Sequence, residues 1–99
     1  MKSAKNSMRV VSHPEAARDL EAAVLELDIF HGYRGDVIMG QFERTLLRIV
    51  AEPERCRKFL DENRKAYFGR HSRYAIVYSL EKDVICIKAL MQSNRRPFY

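Results

Sequence analysis

No apolar run in the 99-residue chain approaches the roughly 20 residues that a membrane-spanning helix needs. The longest stretches, around VIMGQF, AIVYSL and VICIKALM, end far short of that length. The opening MKSAKNS leads into a short strand-like stretch and lacks the apolar segment of a secretory signal, so a cytoplasmic protein with no membrane partner is expected. Cysteine is scarce. Cys56 lies in a basic loop and Cys86 in an apolar strand, without metal-ligand spacing, so both read as unpaired thiols and Cys86 as core. His13, His31 and His71 fall in unrelated contexts. Neither a metal site nor a cofactor is expected. Internal repeats and low-complexity tracts are lacking as well, which excludes solenoid and linker architectures.

What remains is the composition of one globular domain with a single modest core. Its charge is unevenly placed. Residues 1–53 carry 7 Lys/Arg against 8 Asp/Glu, whereas residues 54–99 carry 11 against 5, a net charge of +6. A basic half suits a polyanion or an acidic protein partner, and charge alone does not separate the two.

Residues 1–7 read as a disordered tail and Met8 to Ser12 as a short strand. Pro14 suits the first position of a helix, where its missing N–H is not needed, and Glu15 and Asp19 suit the positive end of the helix dipole. Ala16, Leu20, Ala23, Val24, Leu27 and Phe30 recur at three and four, marking one apolar stripe. HGYRGD ends that helix. Asp36 is the expected N-cap of a second helix, in which Ile38, Phe42, Thr45, Leu46 and Ile49 share a face and which Pro53 stops. Gly40 is expected where the two helices approach closely.

From Lys65 the period becomes extended, with KAYFGR, RYAIVYSL and DVICIKALM as strands and GRHS and EKD as turns. RYAIVYSL and VICIKALM are apolar on both alternations, as expected if helices cover one face and a partner or the chain's own ends partly cover the other. The expected fold is α+β: an N-terminal β-strand and an α-helical hairpin packed on a curled antiparallel β-sheet, in the order β-α-α-β-β-β.

SHPEAARDLEAAVLEL, QFERTLLRIVAEPERC and RYAIVYSLEKDVICIKALMQSNRRPFY, in that order, resemble the RelE/ParE superfamily of bacterial toxin–antitoxin toxins, nearer its ParE-like, plasmid-stabilisation branch. The resemblance covers residues 8–99 as a single toxin domain. Its most specific parts are Arg73, Tyr74, Ile76, Val77 and Tyr78, and the ending in which the family's H-x-x-R-x-P and aromatics read here as Gln92, Ser93, Asn94, Arg95, Arg96, Pro97, Phe98 and Tyr99. Gln92 stands at the usual histidine position.

The resemblance implies a toxin of a type II module in the bacterial cytoplasm, neutralised in a hetero-oligomer by a small acidic antitoxin. It allows two targets. ParE-like members act as non-enzymatic inhibitors of DNA gyrase, while RelE-like members are ribosome-dependent mRNA endonucleases. RNA cleavage at the 2′-hydroxyl needs a proton acceptor, cations for the phosphorane and a stacking aromatic. Arg64, Lys65, Arg70, His71, Arg73, Arg95, Arg96 and Tyr99 offer cations and one imidazole, with Arg70, His71, Arg73, Arg95 and Tyr99 as the catalytic set of that alternative. Inhibition of a protein needs only arginine and aromatic anchors. Arg64, Arg73, Gln92, Arg95, Arg96, Phe98 and Tyr99 are therefore the residues expected to bind target or antitoxin, joined by Tyr67 and Phe68 if these lie on an exposed edge. Tyr74 and Tyr78 read as packing residues, and a toxin fold that has lost toxicity is the third alternative, left open by Gln92.

Overall fold

The computed structural model describes residues 8–30, 32, 34–70 and 72–92. Along the chain run β1 (Arg9–Ser12), α1 (Pro14–Phe30), α2 (Gly35–Ala51), β2 (Lys58–Leu60), β3 (Asn63–Tyr67), β4 (Tyr74–Glu81) and β5 (Val84–Gln92). The strands form one sheet in the order β1-β5-β4-β3-β2, with the helical hairpin packed on one face. The α+β architecture is as expected, with two refinements. β1 pairs with β5 in parallel, so the sheet is mixed, while the other pairings are antiparallel. And a fifth strand, β2, precedes the three expected after the helices. Its KFL is too short to show a period, and all three residues are exposed.

α1 begins at Pro14, and the His13 ring caps it, Nδ1 accepting the Glu15 N–H at 3.2 Å. α2 departs from expectation at its start. It begins one residue before Asp36, with Arg34 at the cap position and no side-chain cap. Asp28 of α1 does that work instead, its Oδ1 accepting the Gly35 N–H at 2.9 Å across the hairpin. Gly35, not Gly40, marks the close approach. A Cβ on Gly35 would stand 2.7 Å from both Val24 Cγ1 and Asp28 Oδ1, whereas one on Gly40 would meet only the end of Arg44 at 3.5 Å.

The core lies between the hairpin and the sheet. Ala16 and Ala23 of α1 and Ile38, Thr45 and Ile49 of α2 meet Ile76, Tyr78, Ile85, Ile87 and Leu90 of the two central strands. The expected stripes hold except at Phe30, which is 72% exposed at the end of α1. Thr45 is buried without penalty because its hydroxyl donates to the Gln41 carbonyl at 2.7 Å.

The double apolar alternation of β5 has a local cause. Between Val77↔Ala89 and Tyr78↔Ile87 the ladder shifts register, leaving Lys88 as the extra residue of a bulge. The inward positions are thereby reset from Ile85 and Ile87 to Leu90. β1 ends at Ser12, and beyond it Asp19 of α1 covers the β5 edge, its Oδ2 accepting the Leu90 N–H at 3.1 Å. On β4 the other alternation is buried too. Ala75, Val77 and Ser79 are at most 8% exposed, flanked by Tyr67, Lys65 and Asn63 on β3 and Met91, Ala89 and Cys86 on β5. Cys86 is thus half-buried on the face away from the helices, not in the core.

Candidate functional site

Three of the expected site residues, Arg70, Arg73 and Gln92, lie at one end of the sheet. The β3–β4 connection is closed by hydrogen bonds from Phe68 N–H to the Tyr74 carbonyl (3.0 Å), Ser72 N–H to the Gly69 carbonyl (3.1 Å) and Tyr74 N–H to Ser72 Oγ (3.1 Å). This tight turn holds Arg70 and Arg73 exposed. Tyr74 is also the last partner of Gln92 in the β4–β5 ladder, so Gln92 ends across from Tyr74, at the same end of the sheet as the turn that carries Arg73. Tyr74 anchors the assembly from below. Its ring packs 5.9 Å from that of Phe68, which in turn meets Phe42 of α2 edge-on at 6.2 Å. Burial, helped by the Glu26 carboxylate and opposed by Arg73, raises the Tyr74 pKa, so its hydroxyl keeps its proton. Phe68 is buried and forms part of this support, whereas Tyr67 is exposed.

A second group lies along the outer face of β2 and β3. Lys65 Nζ sits 4.6 Å from the centroid of the Phe59 ring and 5.5 Å from that of Tyr67, a cation held between two aromatic faces. Both rings remain partly open to solvent. Phe59 was not apparent from sequence. The only signal was an apolar pair, Phe59-Leu60, inside the charged stretch RKFLDENRK.

Arg64 belongs elsewhere. Strand alternation turns it to the opposite face from Lys65, where it pairs with Tyr78. Its Nη1 donates to the carbonyls of Glu54 and Cys56, and Tyr78 Oη donates to the Pro53 carbonyl at 2.9 Å. These bonds clamp the α2–β2 loop to the sheet. Burial, with the neighbouring Cys56, drives the Tyr78 pKa far above its ordinary value. Arg64 stands four residues along the ladder from the Tyr74–Gln92 end, roughly 13 Å away at strand spacing. His71, Arg95, Arg96, Phe98 and Tyr99 lie outside the described residues.

Among the described residues no three His, Cys, Asp or Glu side chains are grouped to hold a metal ion, and no helix is long and apolar enough to cross a membrane. The open end of the sheet offers guanidinium groups, an amide and aromatic faces. Chemically it can grip carboxylates, phosphates and flat apolar groups.

No protein-family model and no curated protein sequence matches the chain. Solved structures do. A chain of the chromosomal ParDE TA system from P. aeruginosa superposes with a TM-score of 0.75 at 13% identity, covering 90% of this chain and 99% of that one. The isolated E. coli RelE toxin gives 0.66 at 15% identity, covering 94% and 92%. The archaeal RelE-RelB complex from Pyrococcus horikoshii OT3 gives 0.53 at 20% identity, covering 90% and 98%. The chain has the fold of the RelE/ParE toxins.

Proposed function

We propose that this protein is the toxin of a type II toxin–antitoxin module, of the ParE-like, plasmid-stabilisation kind. It acts in the bacterial cytoplasm as a non-enzymatic inhibitor of DNA gyrase until a cognate acidic antitoxin neutralises it. The observation that carries this reading is the likeness to the ParDE chain, which extends over nearly the whole of that chain. The surface chemistry agrees with it. Arg70 and Arg73, with the Phe59 and Tyr67 rings on the adjoining face, are residue types that anchor protein interfaces, and Gln92 and Lys65 lie among them. An acidic, partly apolar antitoxin segment complements the basic half of the chain and covers the same groups.

The alternative target, mRNA on the ribosome, draws support from the likeness to E. coli RelE and from Lys65 between the Phe59 and Tyr67 rings, which can stack a base, with Arg70 and Arg73 exposed on the β3–β4 turn as further cations. Inducing the chain without antitoxin separates the readings. Following growth, plasmid supercoiling and message integrity in one culture, the gyrase reading expects arrest with relaxed or cleaved plasmid and intact messages. Arrest with early message cleavage would transfer the function to the ribonuclease reading. Absence of arrest with folded protein present would make the chain a toxin fold that has lost toxicity, in keeping with glutamine at position 92. Arg73→Ala with Gln92→Ala, and Arg95→Ala with Arg96→Ala, are each expected to weaken toxicity or antitoxin binding. If neither pair changes either property, these residues are not the site.

A further inference from the structure

Helix α1 carries two apolar stripes, and the core uses only one. Ala16, Leu20, Ala23, Val24 and Leu27 face the sheet and α2. Leu25 and Ile29, one turn apart, project on the other side and are 59% and 62% exposed, with Ala22 extending the same line towards the N-terminus. Exposed leucines scattered singly need no explanation, but a stacked pair on a helix face is the pattern that receives another helix. The stripe is edged with carboxylates. Glu21 lies one turn before Leu25 on one flank, and Glu26, three residues before Ile29, lies on the other. Of the five carboxylates of α1, Asp19 and Asp28 are engaged with the Leu90 and Gly35 N–H groups. Glu15, Glu21 and Glu26 form no ion pair among the described residues, and Arg18, in line with the stripe beyond Ala22, is the only cation of the helix.

We infer that the outer face of α1 docks a cationic amphipathic helix of a partner protein, with aliphatic side chains on Leu25 and Ile29 and flanking Lys or Arg against Glu21 and Glu26. Charge decides the occupant. A second copy packed on this stripe would bring Glu21 and Glu26 against their own equivalents with a single arginine from each chain to compensate. An acidic segment suited to the basic half of the chain is repelled here. The inference uses none of Arg70, Arg73 and Gln92 and is independent of the toxin reading.

The full chain is titrated with a labelled amphipathic peptide of leucine and lysine, about 18 residues or five helical turns long, and with the same peptide carrying glutamate for lysine. Binding of the lysine peptide alone is expected. Leu25→Ser with Ile29→Ser should weaken it at least about 10-fold, since two aliphatic contacts are lost. Glu21→Gln with Glu26→Gln should weaken it several-fold, by about 3-fold or more, and flatten its salt dependence. The charge variant reads the same surface should the serine variant fail to fold. Equal binding of the glutamate peptide, or an affinity unchanged in the folded variants, overturns the proposal. So does self-association of the chain that Leu25→Ser with Ile29→Ser abolishes, because the face would then belong to a second copy. Growth arrest by the same variants reports on the toxin reading separately.

Discussion

Gly35→Ala and Gly40→Ala make the same chemical change five residues apart in one helix, and their effects should have opposite signs. At Gly35 the new methyl would stand 2.7 Å from Val24 Cγ1 and from Asp28 Oδ1. Neither neighbour is a free surface tip. Val24 packs against the core, and Asp28 is held by the Gly35 N–H it accepts at 2.9 Å. Forcing the helices apart costs about 1–3 kcal/mol as overpacking, and weakening a hydrogen bond to a carboxylate adds about 1–2 kcal/mol. The alanine returns at most about 1 kcal/mol through lower chain entropy in the unfolded state. The net loss is about 1–4 kcal/mol. At Gly40 the methyl would meet only Arg44 Nη1 at 3.5 Å, a flexible end that can move, so the entropy gain of about 0.5–1 kcal/mol stands alone. Urea unfolding with the slope checked against the parent measures both. At roughly 4–8 °C per kcal/mol for a domain of this size, the melting temperatures should separate by about 6 °C or more. A Gly35→Ala variant as stable as the parent, or a Gly40→Ala variant less stable than Gly35→Ala, would refute this account of the hairpin.

Lys82 opens the two-residue turn between β4 and β5 with φ +57°, a conformation that disfavours a side chain, so Lys82→Gly should raise stability by up to about 1 kcal/mol in the same urea assay. Tyr78→Phe removes the hydroxyl that donates to the Pro53 carbonyl and should cost about 1 kcal/mol at neutral pH. Because the folded Tyr78 pKa is raised, the unfolded chain loses this proton first as pH passes about 10, and stability falls with rising pH from there. Tyr78→Phe should flatten that fall but not abolish it, since Tyr74 is shifted in the same direction; an unchanged alkaline slope would refute the assignment. Asp19→Ala should cost about 1–2 kcal/mol and speed hydrogen exchange at the Leu90 amide above its neighbours, a site-specific effect that a general loss of helix stability would not produce.

The helices were legible because each buries one stripe at a strong period, and Pro14 and Pro53 punctuate them chemically. Their junction was not. Asp36 and Gly40 each match a local rule, an N-cap and a small residue at a crossing, but both roles passed to residues brought in by tertiary contact: Asp28, seven positions before the bond it accepts, and Gly35. Local pattern reports a helix end as if the helix were alone. Here the preceding helix satisfies it. β2 escaped notice for a related reason, since three exposed residues carry no burial pattern of their own and acquire strand geometry only from β3.

The candidate site shows where one-residue phase matters. Arg64 and Lys65 are adjacent cations, and composition treats them alike; strand alternation sends one to clamp the α2–β2 loop and the other to lie between Phe59 and Tyr67 on the opposite face. On β5 the bulge at Lys88 changes phase once more, which keeps Leu90 in the core and sets the last ladder pair at Tyr74 and Gln92. Without that extra residue the register would set Leu90 opposite Ala75, pointing away from the helices, and Gln92 opposite Arg73 instead of Tyr74. Because the side-chain period of a strand is two, a single inserted residue decides which groups share a face. That Gln92 stands opposite Tyr74 rather than Arg73 is thus a property of the bulge as much as of the residues themselves, and no count of basic side chains along the sequence contains it.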